Sequence, residues 1–272
     1  MNYRHIFHAG NFADVFKHCL LILLTQSLSK KETPFCYLDT HAGIGLYDLT
    51  SPEAQKTKEY ENGVSRILSL EQAPPIIKTF QNIIQNMNAH ERTACEAFPH
   101  FYPGSPSFVR ALLRPQDRMI LVELHPEDVK SLKQFFRKDS QTAVHHNDGY
   151  QAIKAFLPPK EKRGLILIDP PFEKTDEFQN IIKAMKTAYR KFPTGVYAIW
   201  YPIKDQIAVN RFHNQLKGLG FSAIATTNFS CSSIETKPDA TPLCKMGMVI
   251  VNPPFQFEQE WNALREWLKK NM

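Results

Sequence analysis

The sequence lacks the patterns that are typical of secreted, membrane-spanning and zinc-binding proteins. Its five cysteines form no C-x-x-C pair, which argues against a disulfide framework and against a zinc site. No apolar run approaches the ~20 residues that a membrane span needs, and the opening segment MNYRHIFHAGNF has no apolar core behind its basic residues. We therefore expect a soluble cytoplasmic protein with no membrane segment, no metal site and no secretory signal.

The charge balance of the chain is only mildly one-sided. Its 272 residues include 33 Lys and Arg against 27 Asp and Glu, which gives a formal net charge of +6. A polyanionic partner such as nucleic acid fits this balance, but solvated lysine-bearing surfaces produce it as well. The apolar share of 43% is enough for a sizeable core, and the length suits one large domain or one domain carrying a smaller insertion.

Short β-type runs alternate with helical patterns along the chain. One helical pattern opens at Asn11, an N-cap residue type with Asp14 three positions later, and another opens at Pro74-Pro75. The runs predicted as strands are 35–39, 119–123, 142–145, 164–169, 195–201, 222–229 and 246–252. This alternation predicts an α/β fold with a mostly parallel seven-stranded sheet, whose ligands bind at the carboxyl ends of the strands.

Three of the predicted strands end in an acidic residue: Asp39, Glu123 and Asp169. A strand buried on both faces has no packing reason to end in a carboxylate, so each acid either binds a ligand or caps the following helix. In an ordinary nucleotide-binding fold about 20 residues separate the glycine loop from the next acid, whereas here the long segment 48–103 intervenes. We interpret 48–103 as an inserted helical subdomain, and 1–47 with 104–272 as the main domain.

A glycine loop with the sequence L-D-T-H-A-G-I-G occupies positions 38–45. Glycines let the backbone approach a ligand closely. A dinucleotide fingerprint needs a third small residue where this chain has Asp48, whose charge opposes a pyrophosphate. The loop therefore favours a nucleoside without phosphates, of which S-adenosylmethionine is the common example. Glu123 could then accept hydrogen bonds from two ribose hydroxyls, and Asp148, beside the backbone N–H of Gly149, could accept one from the adenine amine.

The segment D-P-P-F at 169–172 predicts a catalytic site for methylation of an exocyclic amine. Two prolines fix an extended backbone after the strand. The Asp169 carboxylate and the Pro170 carbonyl can accept hydrogen bonds from the two N–H groups of the amine. These hydrogen bonds free the delocalised lone pair of the nitrogen to attack a methyl group. Asp169 can then take the proton or pass it to water, and Phe172 can stack on the extruded base, a contact worth ~1–3 kcal/mol. A simple strand-terminating turn is the alternative interpretation.

A second segment of the same form, N-P-P-F at 252–255, closes the last predicted strand. Asparagine replaces aspartate in some amine methyltransferases. The last strand of this fold usually runs antiparallel to the others, so its end would point away from the cofactor. We interpret this second segment as structural.

Over nearly its full length the chain resembles the bacterial 23S rRNA (adenine(2030)-N6)-methyltransferase family. The segments that carry the resemblance are Y-R-H at 3–5, H-A-G-N at 8–11, A-D-V at 13–15, K-H at 17–18, L-D-T-H-A-G at 38–43, Y-P-G-S-P at 102–106, E-L-H-P at 123–126, D-G at 148–149, the run 163–171 and A-I-W-Y-P at 198–202. The chain departs from the family at Phe172, where a tyrosine is expected, and at Leu46, where an arginine is expected. The first change keeps stacking and loses a phenol hydrogen bond, and the second puts an RNA contact there in doubt.

The resemblance implies a Rossmann-like class I S-adenosylmethionine-dependent methyltransferase with an antiparallel last strand and a small helical insertion. It also implies N6-methylation of a single adenine in naked or partly assembled 23S rRNA, with Asp169 as the proton acceptor and Tyr3 in contact with the RNA. Together with the glycine loop, it gives these expected cofactor-binding residues: His18, His41, Gly43, Ser105, Glu123, Asp148, Gly149 and Asp169.

Further RNA contacts are expected from basic residues around the cleft, with Arg4 and Lys17 as the first candidates. Lys56, Lys58 and Arg66 of the insertion are equally well explained as solvated surface charge. His5 and His8 indicate a metal pair only weakly, because no further ligands follow at a suitable spacing.

Two other functions remain open at this point. A DNA adenine-N6 methyltransferase would use the same chemistry, although the chain has no separate DNA target-recognition domain. A non-catalytic RNA-binding protein could have kept the fold, but retention of Asp169 and both prolines argues against it. We expect a monomer, because one RNA site needs one catalytic cleft.

Overall fold

The computed structural model describes residues 3–89, 99–230 and 245–272. In these ranges the strands are β1 (Cys36–Asp39), β2 (Leu46–Asp48), β3 (Phe101–Pro103), β4 (Arg118–Glu123), β5 (Thr142–His146), β6 (Gly164–Ile168), β7 (Val196–Pro202), β8 (Ile224–Ser230) and β9 (Lys245–Val251). The α-helices are α1 (Phe12–Ser29), α2 (Pro52–Thr57), α3 (Val64–Leu68), α4 (Pro75–Met87), α5 (Ser105–Arg110), α6 (Pro126–Phe135), α7 (Gly149–Phe156), α8 (Glu177–Lys191), α9 (Gln206–Lys217) and α10 (Phe257–Asn271).

The main sheet has seven strands in the order β5-β4-β1-β6-β7-β9-β8. The pairs from β5 through β7 are parallel, and β9 runs antiparallel to both of its neighbours. Because β1 and β6 are buried along their whole length, they consist of nearly continuous apolar residues. The predicted α/β fold with a mostly parallel seven-stranded sheet and an antiparallel last strand is confirmed.

Helices cover both faces of the sheet and divide the core into two layers. Successive residues of β6 alternate between these layers: Leu165 and Leu167 belong to the layer containing α1 and α10, and Ile166 and Ile168 to the layer containing α7, α8 and α9. This alternation follows from the two-residue repeat of a strand. No helix in the described ranges is long and apolar enough to cross a bilayer.

Helix α1 is buried along most of its length. Its predicted N-cap is confirmed: the Asn11 side chain accepts a hydrogen bond from the Asp14 backbone N–H at 2.9 Å. Because other helices and the sheet surround α1, its polar residues Asp14, Lys17 and His18 are buried as well. Buried polar groups need partners, and these three find them at the carboxyl edge of the sheet.

The segment after the glycine loop begins with β2, which pairs antiparallel with β3. Between these strands lie α2, α3 and α4, and α4 begins at Pro75 as predicted. Apolar residues of α3 and α4 share one core with α1. The description of 48–103 as a separate subdomain therefore stays a prediction.

The second proline segment lies at the opposite edge of the sheet from the D-P-P-F segment. The side-chain amide of Asn252 donates to the carbonyls of Pro193 and Gly195, at 2.7 and 2.8 Å, just before β7 begins. The antiparallel course of β9 causes this placement. The expectation that the end of the last strand points away from the cavity is confirmed, and the purely structural role of 252–255 stays a prediction.

Candidate active site

A cavity of about 410 Å³ opens at the carboxyl ends of β1, β4, β6 and β7. Its walls come from the start of the chain, α1, the glycine loop and the ends of these strands. The expected site residues that line it are Tyr3, Lys17, His18, His41, Gly43, Ser105, Glu123, Asp169, Pro170 and Phe172. Residues that were expected at separate strand ends thus meet in one place.

Gly43 and Glu123 fix each other at one end of the cavity. The Gly43 backbone N–H donates to Glu123 Oε2 at 2.8 Å, and the His125 N–H donates to Oε1 at 2.7 Å. Gly43 has φ of 61°, and a Cβ there would lie 2.1 Å from the Tyr47 hydroxyl oxygen, so only glycine fits. Burial raises the pKa of Glu123. Each carboxylate oxygen keeps one lone pair, so the pair of oxygens can accept from two adjacent hydroxyls.

His41 is neutral and has a defined tautomer. Thr40 Oγ1 donates its one proton to the Leu167 carbonyl at 2.9 Å, so it must accept at 2.8 Å from Nδ1 of His41. The lone pair of the ring therefore lies on Nε2. Burial lowers the pKa of His41 to about 4, so at neutral pH the ring can accept a hydrogen bond from a ligand.

This burial makes the stability of the protein depend on His41 in acid. The unfolded chain protonates His41 near 6.5, and the folded protein near 4, so between these pH values the unfolded state binds more protons and acidification lowers the free energy of unfolding. Relative to His41→Asn, we expect the wild type to lose roughly 2 kcal/mol from neutral pH to pH 4. Denaturant unfolding at several pH values measures this difference, and other titrating groups cancel because both proteins contain them. A difference that stays constant with pH would contradict a buried neutral His41.

His18 and Ser105 lie on the α1 side of the cavity. Nδ1 of His18 is 2.7 Å from the Tyr102 hydroxyl, and burial holds the pKa of His18 well below its usual range. The Ser105 hydroxyl donates to Asp39 Oδ2 at 2.7 Å. Burial raises the pKa of Asp39 to about 6. Asp39 is fully buried and is not among the lining residues. This strand-end acid acts on the cavity through the hydrogen bonds that it accepts from Ser105 and from the His41 backbone N–H, the latter at 3.2 Å.

Asp148 and Gly149 lie beside the cavity, not on its wall. Asp148 Oδ1 accepts from the N–H groups of Tyr150 and Gln151, at 2.9 and 3.0 Å, and thereby caps α7. A Cβ on Gly149 would lie 2.3 Å from the Thr40 carbonyl oxygen, so this glycine permits close packing on the glycine loop. Helix capping accounts for these hydrogen bonds of Asp148, and its role toward a cofactor stays a prediction.

Asp169 is held by a buried ammonium group. Lys17 Nζ lies 2.6 Å from Asp169 Oδ2 and 2.9 Å from Asp14 Oδ1. Burial alone would lower the pKa of Lys17, but the two carboxylates outweigh it and raise this pKa. Burial would likewise raise the pKa of Asp14, but the neighbouring His5 and Lys17 hold it well below its usual range. Lys17 is therefore no surface cation, and a phosphate contact by it stays a prediction that its burial disfavours.

The hydrogen-bonded chain continues from Asp14 to the start of the protein. Nε2 of His5 is 2.8 Å from Asp14 Oδ2, and Nδ1 of His5 is 2.8 Å from the Tyr3 hydroxyl. Sequence reasoning missed the roles of His5 and Asp14. The three-residue spacing of Asp14 and Lys17 on one face of α1 was the available signal.

Arg4 and His8 also have acidic partners. Arg4 Nε lies 3.3 Å from Asp128 Oδ1, and Nδ1 of His8 lies 2.9 Å from Glu59 Oε1. Arg4 is not a lining residue, and its contact with RNA stays a prediction. Throughout the described ranges, no three His, Cys, Asp or Glu residues are grouped so that they could hold a metal.

Phe172 forms an aromatic wall beside Asp169. Its φ of 50° is unusual for a residue other than glycine. The ring packs edge-on against Trp200 and Phe178, with centroid distances of 5.8 and 5.1 Å. These contacts hold the ring in the cavity wall, which also includes the two preceding prolines.

The strand order, the antiparallel β9 and a cavity at the carboxyl ends of the parallel strands together define the class I methyltransferase fold. The family described as "Ribosomal RNA large subunit methyltransferase D, RlmJ" matches residues 32–272, and the chain belongs to this family. The resemblance noted from the sequence is thereby confirmed.

Curated relatives and a solved structure match almost the whole chain. Two proteins named "Ribosomal RNA large subunit methyltransferase J" are 39% identical (Escherichia coli strain K12) and 38% identical (Haemophilus influenzae); each match covers 100% of this chain and 94% of the relative. The crystal structure of protein LPL1258 from Legionella pneumophila superimposes with a TM-score of 0.85 at 35% identity, over 97% of this chain and 94% of that one.

Proposed function

We propose that this protein uses S-adenosylmethionine to methylate the exocyclic N6 amine of a single adenine in naked or partly assembled 23S rRNA. The observation that carries the proposal is Asp169 at the cavity, with Oδ2 bonded to Lys17 and with no partner for Oδ1 among the described residues, so that Oδ1 can accept from an amine. The names of the relatives, which state a large-subunit rRNA methyltransferase, support RNA as the substrate.

The residues at the Glu123 end of the cavity fit a nucleoside cofactor. Two oriented carboxylate oxygens suit a ribose diol, and the glycine at position 43 allows close approach of the backbone. Ser105 donates its proton to Asp39, so its hydroxyl offers only lone pairs to a ligand, and these suit an ammonium group. The cavity volume lies within the range of small-molecule sites, about 300–1,000 Å³.

Bound S-adenosylmethionine supplies a methyl group on a sulfonium, and the departing thioether is neutral. Asp169 Oδ1 and the Pro170 carbonyl accept hydrogen bonds from the two N–H groups of the amine. The nitrogen therefore becomes tetrahedral, and its lone pair is directed at the methyl carbon. As the new N–C bond forms and the S–C bond breaks, Asp169 accepts the released proton or passes it to water. Lys17 orients Asp169, and Phe172 stacks on the flipped-out base.

Labelled methyl transfer to competing polymers tests the substrate. We expect label in deproteinised 23S rRNA and background label in duplex DNA when each is incubated with protein and labelled S-adenosylmethionine. Mass spectrometry of rRNA fragments from cells with and without the protein then locates the modified adenine. Label in DNA alone would show that the substrate is DNA and not RNA. If calorimetry detects no cofactor binding, the proposed methyltransferase activity is wrong.

A further inference from the structure

Among the charged side chains that line the cavity, acids outnumber lysines, although the proposed substrate is a polyanion. Its lining carboxylates are Asp14, Glu59, Glu123, Asp128 and Asp169. The lysines in the lining are Lys17 and Lys204. Since Lys17 is buried and bonded to Asp14 and Asp169, it offers little to a phosphate. An RNA backbone can therefore approach this cavity favourably only where another cation faces it.

Lys204 is that cation. Trp200, Pro202 and Lys204 all line the cavity at and just after the carboxyl end of β7. Trp200 and Pro202 are alternate residues of β7 and so share one face of the strand, and Lys204 lies two residues beyond its end. Lys204 is exposed and forms no ion pair with any residue in the described ranges. Arg4, by contrast, already has Asp128 as a partner.

Trp200 provides an independent observation at the same place. Its Nε1 atom is buried and has no hydrogen-bond partner within the part of the chain that the structure describes. A buried donor without a partner is rare in proteins and costs free energy. The Trp200 ring packs edge-on against Phe172, the residue beside the catalytic segment. Trp200, with its unpartnered Nε1 atom, and the exposed Lys204 thus belong to the same side of the cavity.

We propose that Trp200, Pro202 and Lys204, the β7 rim, bind the target nucleotide of the RNA. Lys204 contacts a phosphate that flanks the target adenosine, and the Trp200 N–H donates to an acceptor on the same nucleotide. The assignment rests on the proposed function, because it takes RNA as the substrate. It separates the two halves of the cavity: Glu123 and Gly43 form the cofactor end, and the β7 rim forms the nucleotide end.

The salt dependence of RNA binding tests the phosphate contact. We expect Lys204→Gln to weaken binding of a 23S rRNA fragment about tenfold at low salt and to reduce the slope of log K against log salt by about 0.7–0.9. Lys204→Arg should restore the slope. Cofactor affinity by calorimetry should stay within twofold of wild type. The matched control is Lys186→Gln, which removes an exposed lysine of α8 outside the cavity lining and should change none of these values.

The outcomes separate this inference from the proposed function. If the wild type methylates RNA but Lys204→Gln has the wild-type slope, the phosphate contact is wrong and the proposed function stands. If the wild type labels only DNA, the proposed function fails, and the rim assignment fails with it. For Trp200, the variant Trp200→Phe keeps an aromatic ring and removes the N–H, so we expect KM for RNA to rise about five- to tenfold. An unchanged KM would exclude the Trp200 hydrogen bond.

Discussion

Replacing Asp169 with asparagine is expected to lower kcat for methyl transfer by roughly 10²–10⁴-fold, the usual contribution of a positioned proton acceptor. The amide keeps the size of the side chain but cannot take the proton. The variant also removes the negative charge that lies 2.6 Å from the Lys17 ammonium group. Lys17 therefore holds the side chain at position 169 less firmly in place. Single-turnover transfer to a 23S rRNA fragment at saturating cofactor measures the chemical step.

The second proline segment provides a matched control for this experiment. Asn252→Ala changes the corresponding position of N-P-P-F at the opposite edge of the sheet, where Asn252 bonds to backbone carbonyls. We expect the variant to lose about 1 kcal/mol of stability per lost hydrogen bond and to keep kcat within twofold of wild type. Full activity in Asp169→Asn would show that the carboxylate is not needed, and the mechanism would then be wrong.

The sequence predicts those parts of the site that lie at the ends of strands. Glu123 and Asp169 follow apolar runs, and Gly43 belongs to a loop that follows another. Parallel strands bring their carboxyl ends to one edge, so local patterns are enough to place these residues together. The strand order then explains why these residues are neighbours: β1, which precedes the Gly43 loop, lies between β4, which ends at Glu123, and β6, which precedes Asp169.

The network around Asp169 depends largely on contacts between distant parts of the chain, such as that between Lys17 and Asp169. Asp14 serves α1 as a residue near the N-cap, and this local role already explains an acid at that position. Its bond to Lys17 is a local pair three residues apart on α1, whereas its bond to His5 follows from the path of the chain start across the end of α1. Burial of Lys17 is likewise a tertiary effect, because the composition of a sequence does not separate a solvated lysine from a buried one.

Asp148 illustrates a different limit. An acid after a strand and before a helix satisfies two patterns at once, that of a ligand-binding edge and that of a helix cap. In the structure Asp148 caps α7, because its side chain accepts hydrogen bonds from the backbone N–H groups of Tyr150 and Gln151. Both patterns use the same residue type at the same position, so the sequence alone leaves the two roles open.

Substituting Lys17 with methionine is expected to lower the free energy of unfolding by about 3 kcal/mol, near the lower end of the range for breaking a buried ion pair. Methionine leaves Asp14 and Asp169 facing each other without the ammonium group between them. The loss stays near the lower end because Asp14 retains bonds from His5 and from the Gly10 backbone N–H. Denaturant unfolding monitored by tryptophan fluorescence measures the change.

Two further variants show whether this loss comes from a buried charge. Lys30→Met removes an exposed lysine that pairs with Glu260 at 3.2 Å, and we expect a change below about 1 kcal/mol because water screens that pair. In Lys17→Met combined with Asp14→Asn, one of the two buried negative charges is gone, so part of the stability should return. The double variant should nevertheless remain deficient in methyl transfer, since nothing then orients Asp169. If Lys17→Met and Lys30→Met unfold at the same denaturant concentration as the wild type, Lys17 is a solvated residue, and its role in holding Asp169 must be rejected.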